Sequence, residues 1–165
     1  YGTLLGTQFF QSFVGGIVAF KSLPRPQFAS LQQAIFPIYF SIQTVLPVVI
    51  ALTYPGNKAA GIPSGVAGVL DRSNTFSTFV PLFTMLTTSL VNLAYFGPQT
   101  TKVMRERKHQ ETRDGKKSYD APPHSKEMTR LNKSFGRLHG ASTIVNLAGF
   151  AATMWYGVTL AERLQ

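Results

Sequence analysis

Four stretches without a single Asp, Glu, Lys or Arg decide what this chain can fold into. They are Tyr1–Phe20, Pro26–Asn57, Ser73–Thr101 and Leu138–Ala161, of 20, 32, 29 and 24 residues. About 20 mostly apolar residues in a helix cross a bilayer core roughly 30 Å thick. A helix on the surface of a soluble domain needs a charged face, and none of these stretches has one. The mean hydropathy of +0.06 would suit a soluble protein, but it averages two unlike parts of the sequence. The reading is an all-α polytopic membrane protein, with residues 1–165 forming one transmembrane domain.

The second part is the segment Thr101–His139. It carries 11 of the 16 Lys and Arg residues and nets +6 of the chain's +9. A pI near 10 would ordinarily point to nucleic acid. Here the charge borders membrane spans, where basic loops are held on the cytosolic side, so no nucleic-acid partner is expected. The chain has no Cys, which excludes disulfides, thiolate metal sites and Cys nucleophiles.

Spans are expected at about residues 4–20, 36–54, 78–96 and 141–160. Small residues in the first, Gly15 and Gly16 among them, predict close packing on another helix. Pro24 and Pro26 stop it, and Gln27–Gln33 is expected to form a helical turn in the interface. Pro47 should kink the second span. Tyr54-Pro55-Gly56-Asn57 is a turn signal, and Gly61–Gly65 argues against regular helix in the neutral loop that follows. Gly97-Pro98 is expected to break the third span. Beyond it come a polar helix, a loose tip at Asp114–Pro123 and an amphipathic helix. Met128, Leu131, Phe135 and Leu138 share one face of that helix, suited to an anionic membrane surface or to the preceding helix. Trp155 and Tyr156 approach the far interface of the fourth span.

Orientation follows from charge. Residues 21–35 and 101–139 lie on one side of a four-span chain and hold 13 of the 16 cations; Lys58, Arg72 and Arg163 lie on the other. The positive-inside rule puts the two basic segments in the cytosol and the termini opposite. The chain opens on Tyr1 rather than Met, and further residues are expected before it. Asn132-Lys133-Ser134 matches a glycosylation sequon but falls on the cytosolic side.

Several short stretches, in order, resemble the transmembrane protein 205-like family of eukaryotic four-span proteins. They are Phe13-Val14-Gly15-Gly16, Phe20-Lys21-Ser22-Leu23-Pro24-Arg25 with Phe28, and Phe36-Pro37-Ile38-Tyr39-Phe40. Later come Asn92, Pro98-Gln99-Thr100-Thr101 and Met104, then Phe135-Gly136-Arg137-Leu138-His139-Gly140 with Ser142 and Asn146-Leu147. The resemblance implies a four-helix membrane domain and brings no enzymatic activity with it.

Polar side chains inside spans are costly and are functional suspects. Asn92 lies about six residues before the end of the third span and Asn146 about six after the start of the fourth, roughly 9 Å from the cytosolic face. Ser12 and Gln43 fall at similar depth. A single polar layer of Ser12, Gln43, Asn92 and Asn146 is therefore expected, either tying helices together or lining a small pocket open to the cytosol. Lys21, Arg25, Arg137 and His139 lie at the cytosolic interface and are candidates to hold a lipid phosphate.

His139, Ser142 and Asn146 share a helical face, but no acid accompanies them and no Gly-x-Ser-x-Gly elbow occurs. No catalytic residue is expected. His109, His124 and His139 lack metal spacing, and Met85, Met104, Met128 and Met154 are scattered, so neither a metal nor a cofactor is expected. The sequence reads as a non-enzymatic scaffold or accessory subunit whose partners are membrane lipids, other membrane proteins or a second copy of itself. A small-solute transporter or export facilitator is the alternative, and a membrane enzyme of lipid metabolism ranks below both.

Overall fold

A computed structural model describes residues 1–57 and 60–162, and these are all-helical apart from connecting turns. Lys58 and Arg163, two of the three cations assigned to the sparse side, lie outside the described residues. Four helices are long and apolar enough to cross a membrane: α1 (Gly2–Ser22), α2 (Arg25–Leu52), α4 (Arg72–Asp114) and α5 (Lys126–Glu162). The short α3 (Gly65–Val69) sits in the loop between α2 and α4.

The helices are longer than the spans expected at residues 4–20, 36–54, 78–96 and 141–160. The turn between α1 and α2 is only Leu23-Pro24, and α2 starts at Arg25 with Pro26 in its first turn, where proline's missing N–H leaves nothing unpaired. The expected interfacial turn at Gln27–Gln33 is therefore the opening of α2 itself. Pro37 and Pro47 lie within this continuous helix.

Gly97-Pro98 does not break the third span. A π-helical turn at Asn92–Phe96 widens α4, the Gly97 N–H bonds to the Asn92 carbonyl, and Pro98 begins the next helical stretch as it would begin a new helix. A Cβ on Gly97 would come within 3.0 Å of that carbonyl, which explains glycine at this position. Gly16 stands in the same relation to a π turn at Phe10–Gly15. Its N–H bonds to the Gln11 carbonyl, and its Cβ would lie 3.2 Å from that oxygen. The expectation that Gly15 and Gly16 admit a neighbouring helix is thus corrected: they make room within α1 itself.

The amphipathic segment also differs from expectation in part. It is continuous with the fourth span and packs on α4, with Val103, Met128 and Leu131 buried. Of the two settings expected for it, the structure takes helix packing. At 1.5 Å per residue, the 43 residues of α4 and the 37 of α5 span about 64 and 55 Å. Both exceed a bilayer core of roughly 30 Å, so together they carry a basic helical hairpin beyond it. The hairpin's tip is not loose. Gly115 ends α4 with φ of 62°, Ser125 Oγ donates to Asp114 Oδ2 at 2.7 Å, and Glu111 accepts from both the N–H and the Oγ of Ser118.

The main apolar core lies at the opposite end, where Leu4, Tyr54, Val69, Leu82, Met85, Ala152 and Tyr156 meet. Residues 53–57 and 60–64 are irregular, as their glycines and prolines require, and α3 supplies one helical turn. Asn74 pins this cap by donating to Tyr54 Oη and to the Gly68 carbonyl. Of the two aromatics expected at the far interface, Trp155 is exposed, while Tyr156 is buried and packs on Tyr1. Ile144 and Phe76 are 70% and 72% exposed, as lipid-facing side chains are. The hydroxyls of Thr44, Thr84, Thr88 and Thr153 bond to carbonyls one turn back and so enter the apolar layer satisfied.

Candidate functional site

Asn146 is the centre of a hydrogen-bonded cluster that joins α1, α2 and α5. Its Nδ2 donates to Ser12 Oγ at 3.2 Å, and its Oδ1 accepts from Tyr39 Oη at 3.1 Å and from Gln43 Nε2 at 3.2 Å. Ser12 Oγ and Tyr39 Oη are 3.3 Å apart. Because the Tyr39 proton is directed at Asn146, the Ser12 hydroxyl donates to Tyr39. The three groups then form a closed ring in which each donates to the next. Gln43 Oε1 accepts from Gln8 Nε2 at 2.8 Å, which extends the cluster by one turn. Gln8 is 1% exposed, and its own Oε1 has no hydrogen-bond partner. Pro47 removes the N–H that would close on the Gln43 main-chain carbonyl, so a second acceptor is left at this level.

Asn92 does not join this group. It exchanges bonds with Ser142 of α5: Ser142 Oγ donates to Asn92 Oδ1 at 2.8 Å, and Asn92 Nδ2 donates to the Ser142 carbonyl at 3.3 Å. Ser142 is one turn from Asn146, about 6 Å along the helix toward the basic end. The expected single layer is therefore a ladder. Ser12, Gln43 and Asn146 come together, Asn92 sits one rung away, and Gln11 bonds to Gln32 on a separate face at 3.3 Å. The depth also differs. Ser12 stands ten residues from each end of Gly2–Ser22, mid-way through the first span. The shallower expectation took the ends of the apolar runs as helix ends, whereas α4 and α5 continue well past them.

Gln8 and Tyr39 are the members that depth counting left out. The signal for them was the i,i+4 spacing of Gln8 with Ser12 and of Tyr39 with Gln43, which places each pair on one helical face. Every group in the ladder is neutral. Ser142 Oγ is engaged with Asn92, and among the described residues no cluster of three or more His, Asp or Glu could hold a metal ion. The arrangement can cross-link helices; it offers no acid–base pair.

The four interfacial residues fall into two pairs on different elements. Lys21 and Arg25 flank the α1–α2 turn, with the Arg25 guanidinium 3.8 Å above the Phe20 ring. Arg137 and His139 lie on α5, where His139 stacks on Phe135, and Phe135 in turn lies under the Arg107 guanidinium at 4.5 Å. Burial of Arg107 between α4 and α5 lowers its pKa, an effect that the nearby Glu111 partly offsets. No hydrogen bond or ion pair joins the two pairs among the described residues.

No solved structure matches this chain. A protein of Aspergillus fumigatus named xanthocillin biosynthesis cluster protein D is 32% identical over 164 residues, covering 99% of this chain and 86% of the relative. That similarity takes in all four long helices. Residues 1–109 match a family described as a domain of unknown function, DUF4149, and this match takes in α1, α2 and most of α4 but stops short of α5. The matched region is about two thirds of the chain, and the chain belongs to the DUF4149 family.

Proposed function

We propose that the protein is a non-enzymatic integral membrane protein that acts as a scaffold or accessory subunit. The observation that carries this reading is the closed ring of Ser12, Tyr39 and Asn146. Intramembrane polar groups that serve a solute or a reaction stay available to it; these are directed at one another and hold α1 to α2 and α5. The hairpin of Thr101–His139 and the α1–α2 turn then face the cytosol, with the termini opposite, as their excess of Lys and Arg favours. The likeness to the transmembrane protein 205-like family fits the same four-helix reading. The relative's name ties it to a biosynthesis cluster, which is compatible with an accessory part beside enzymes and assigns no reaction.

The test is purification of the full chain in mild detergent, followed by mass measurement of the intact assembly. A stable hetero-assembly or homo-oligomer is expected; a lone monomer with no bound protein partner argues against the proposal. Liposomes carrying Asn92→Leu/Asn146→Leu provide the contrast with transport. Flux of a small amphipathic solute that the native chain supports and the folded double variant loses would transfer the assignment to an export facilitator.

A further inference from the structure

We infer that the groove between α1 and α2 is a binding site for an anionic phospholipid of the leaflet on the basic side. The groove encloses about 450 Å³ and is walled by Phe10, Val14 and Val18 of α1 and by Leu31 and Ile35 of α2. A smaller hollow of about 170 Å³ continues it along Phe10, Gln11 and Ile35 toward Ile42. Gly15 lies on its floor and contributes no side chain, and the last turns of α1, Gly16–Ser22, pack chiefly on α2. The result is a long apolar channel, open sideways to the bilayer and suited to an acyl chain.

Its polar features are graded as a phospholipid is. Gln32 lines the groove and is 7% exposed; its Oε1 accepts from Gln11, while its Nε2 has no described partner. That amide is placed to donate to an ester carbonyl. Toward the basic end the groove reaches Ala19, two residues from Lys21, and Leu31, six residues from Arg25. Neither cation forms an ion pair among the described residues, and Arg25 is stacked on Phe20 beside the α1–α2 turn, beyond the basic end of the groove. An apolar channel with an amide donor along it and two cations beyond its basic end match acyl chain, ester and anionic headgroup. A second copy of this chain would fill the channel with a neutral helix and leave both cations without counter-charge. Lys21 and Arg25 thus act at one lipid, apart from Arg137 and His139.

The test titrates the purified full chain with dioleoyl phosphatidylserine, with dioleoyl phosphatidylcholine and with glycerophosphoserine, and counts bound molecules by native mass spectrometry. One phosphatidylserine per chain is expected, held about tenfold more tightly than phosphatidylcholine, with glycerophosphoserine failing to compete. Ala19→Trp, which blocks the groove, and Lys21→Gln/Arg25→Gln should each weaken retention about tenfold, and Arg137→Gln should leave it unchanged. Circular dichroism and elution volume report folding; should Ala19→Trp not fold, Leu31→Trp obstructs the opposite wall. Equal retention of both lipids, undiminished retention in a folded groove-blocked variant, effective competition by glycerophosphoserine, or a second copy seated in this groove, cross-linking through Ala19→Cys and not dissociated by phosphatidylserine, would each overturn the assignment.

Discussion

Helix α1 is 11% buried over its most apolar stretch, while α4 and α5 are each 28% buried over theirs. The two regions are held by different means. Helices α4 and α5 share the most extensive interface, closed by small residues: Gly149 lies so near Thr88 that a Cβ would come within 2.6 Å of Thr88 Oγ1. Helix α1 approaches its neighbours loosely, leaves a groove beside α2, and is fixed mid-way by Gln8 and Ser12. In a bilayer, lipid tails are as apolar as the side chains they replace, so burial alone does little to place a helix. Close van der Waals packing places α5 on α4; hydrogen bonds set the register of α1.

Asn146→Leu should break this contrast most. It removes three hydrogen bonds and leaves the Tyr39 hydroxyl and Gln43 Nε2 without their acceptor, and Ser12 without its donor, in an apolar layer. Interhelical bonds in membranes are worth about 0.6 kcal/mol each, and buried groups left unpaired cost about 1–3 kcal/mol, so a loss of about 3 kcal/mol is expected. Hydrogen exchange should rise in Gly2–Ser22 while α4 and α5 keep their protection. Uniform loosening of all four helices would show that α1 is not held separately.

Gly149→Leu attacks the other side of the comparison. Overpacking costs typically about 1–3 kcal/mol, and about 2 kcal/mol is expected here, because Thr88 is bonded to carbonyls of its own helix and yields only with loss of those bonds. The faster exchange should now fall on α4 and α5. Denaturant titration in mixed micelles, read against Asn146→Leu, separates the two; a pattern of exchange identical to that variant's would remove the distinction.

The number of spans was legible because absence of charge over 20 or more residues has almost no other explanation. The helix ends were not, because a helix that leaves the membrane loses its apolar signal without losing its hydrogen bonds. That is why Asn92 and Asn146 appeared level when they stand a turn apart, and why Arg25–Ile35 read as a link. Gly97-Pro98 misled for a related reason: glycine and proline mark a break in an α-helix, yet both suit the end of a π turn, which sequence spacing does not announce. Asn146 itself was legible as a lone amide in an apolar run. Tyr39 was less so, since a tyrosine in a span is as often an interfacial anchor as a hydrogen-bonding partner.

The smallest expected effect concerns pH. The Ser12–Tyr39–Asn146 ring and its extension through Gln43 to Gln8 contain no carboxylate, Lys or His, so mild acid has nothing to act on there. The start of α4 does: Asp71 accepts from the Ser73 N–H at 2.9 Å and from its hydroxyl at 2.6 Å, and these bonds hold its carboxyl below the usual range. A carboxyl depressed in the folded state stabilises it at pH above the ordinary value near 3.9, and that contribution fades as pH falls through the lower folded value. Acidification from pH 5 to 3 should therefore loosen the corner of α3 and α4 slightly while exchange in α1 stays constant. Asp71→Asn should remove most of that response. Because the group is exposed, the change will be small and reduced by salt. Acid-induced exchange appearing first in Gly2–Ser22 would mean that the α1 contacts depend on charge after all.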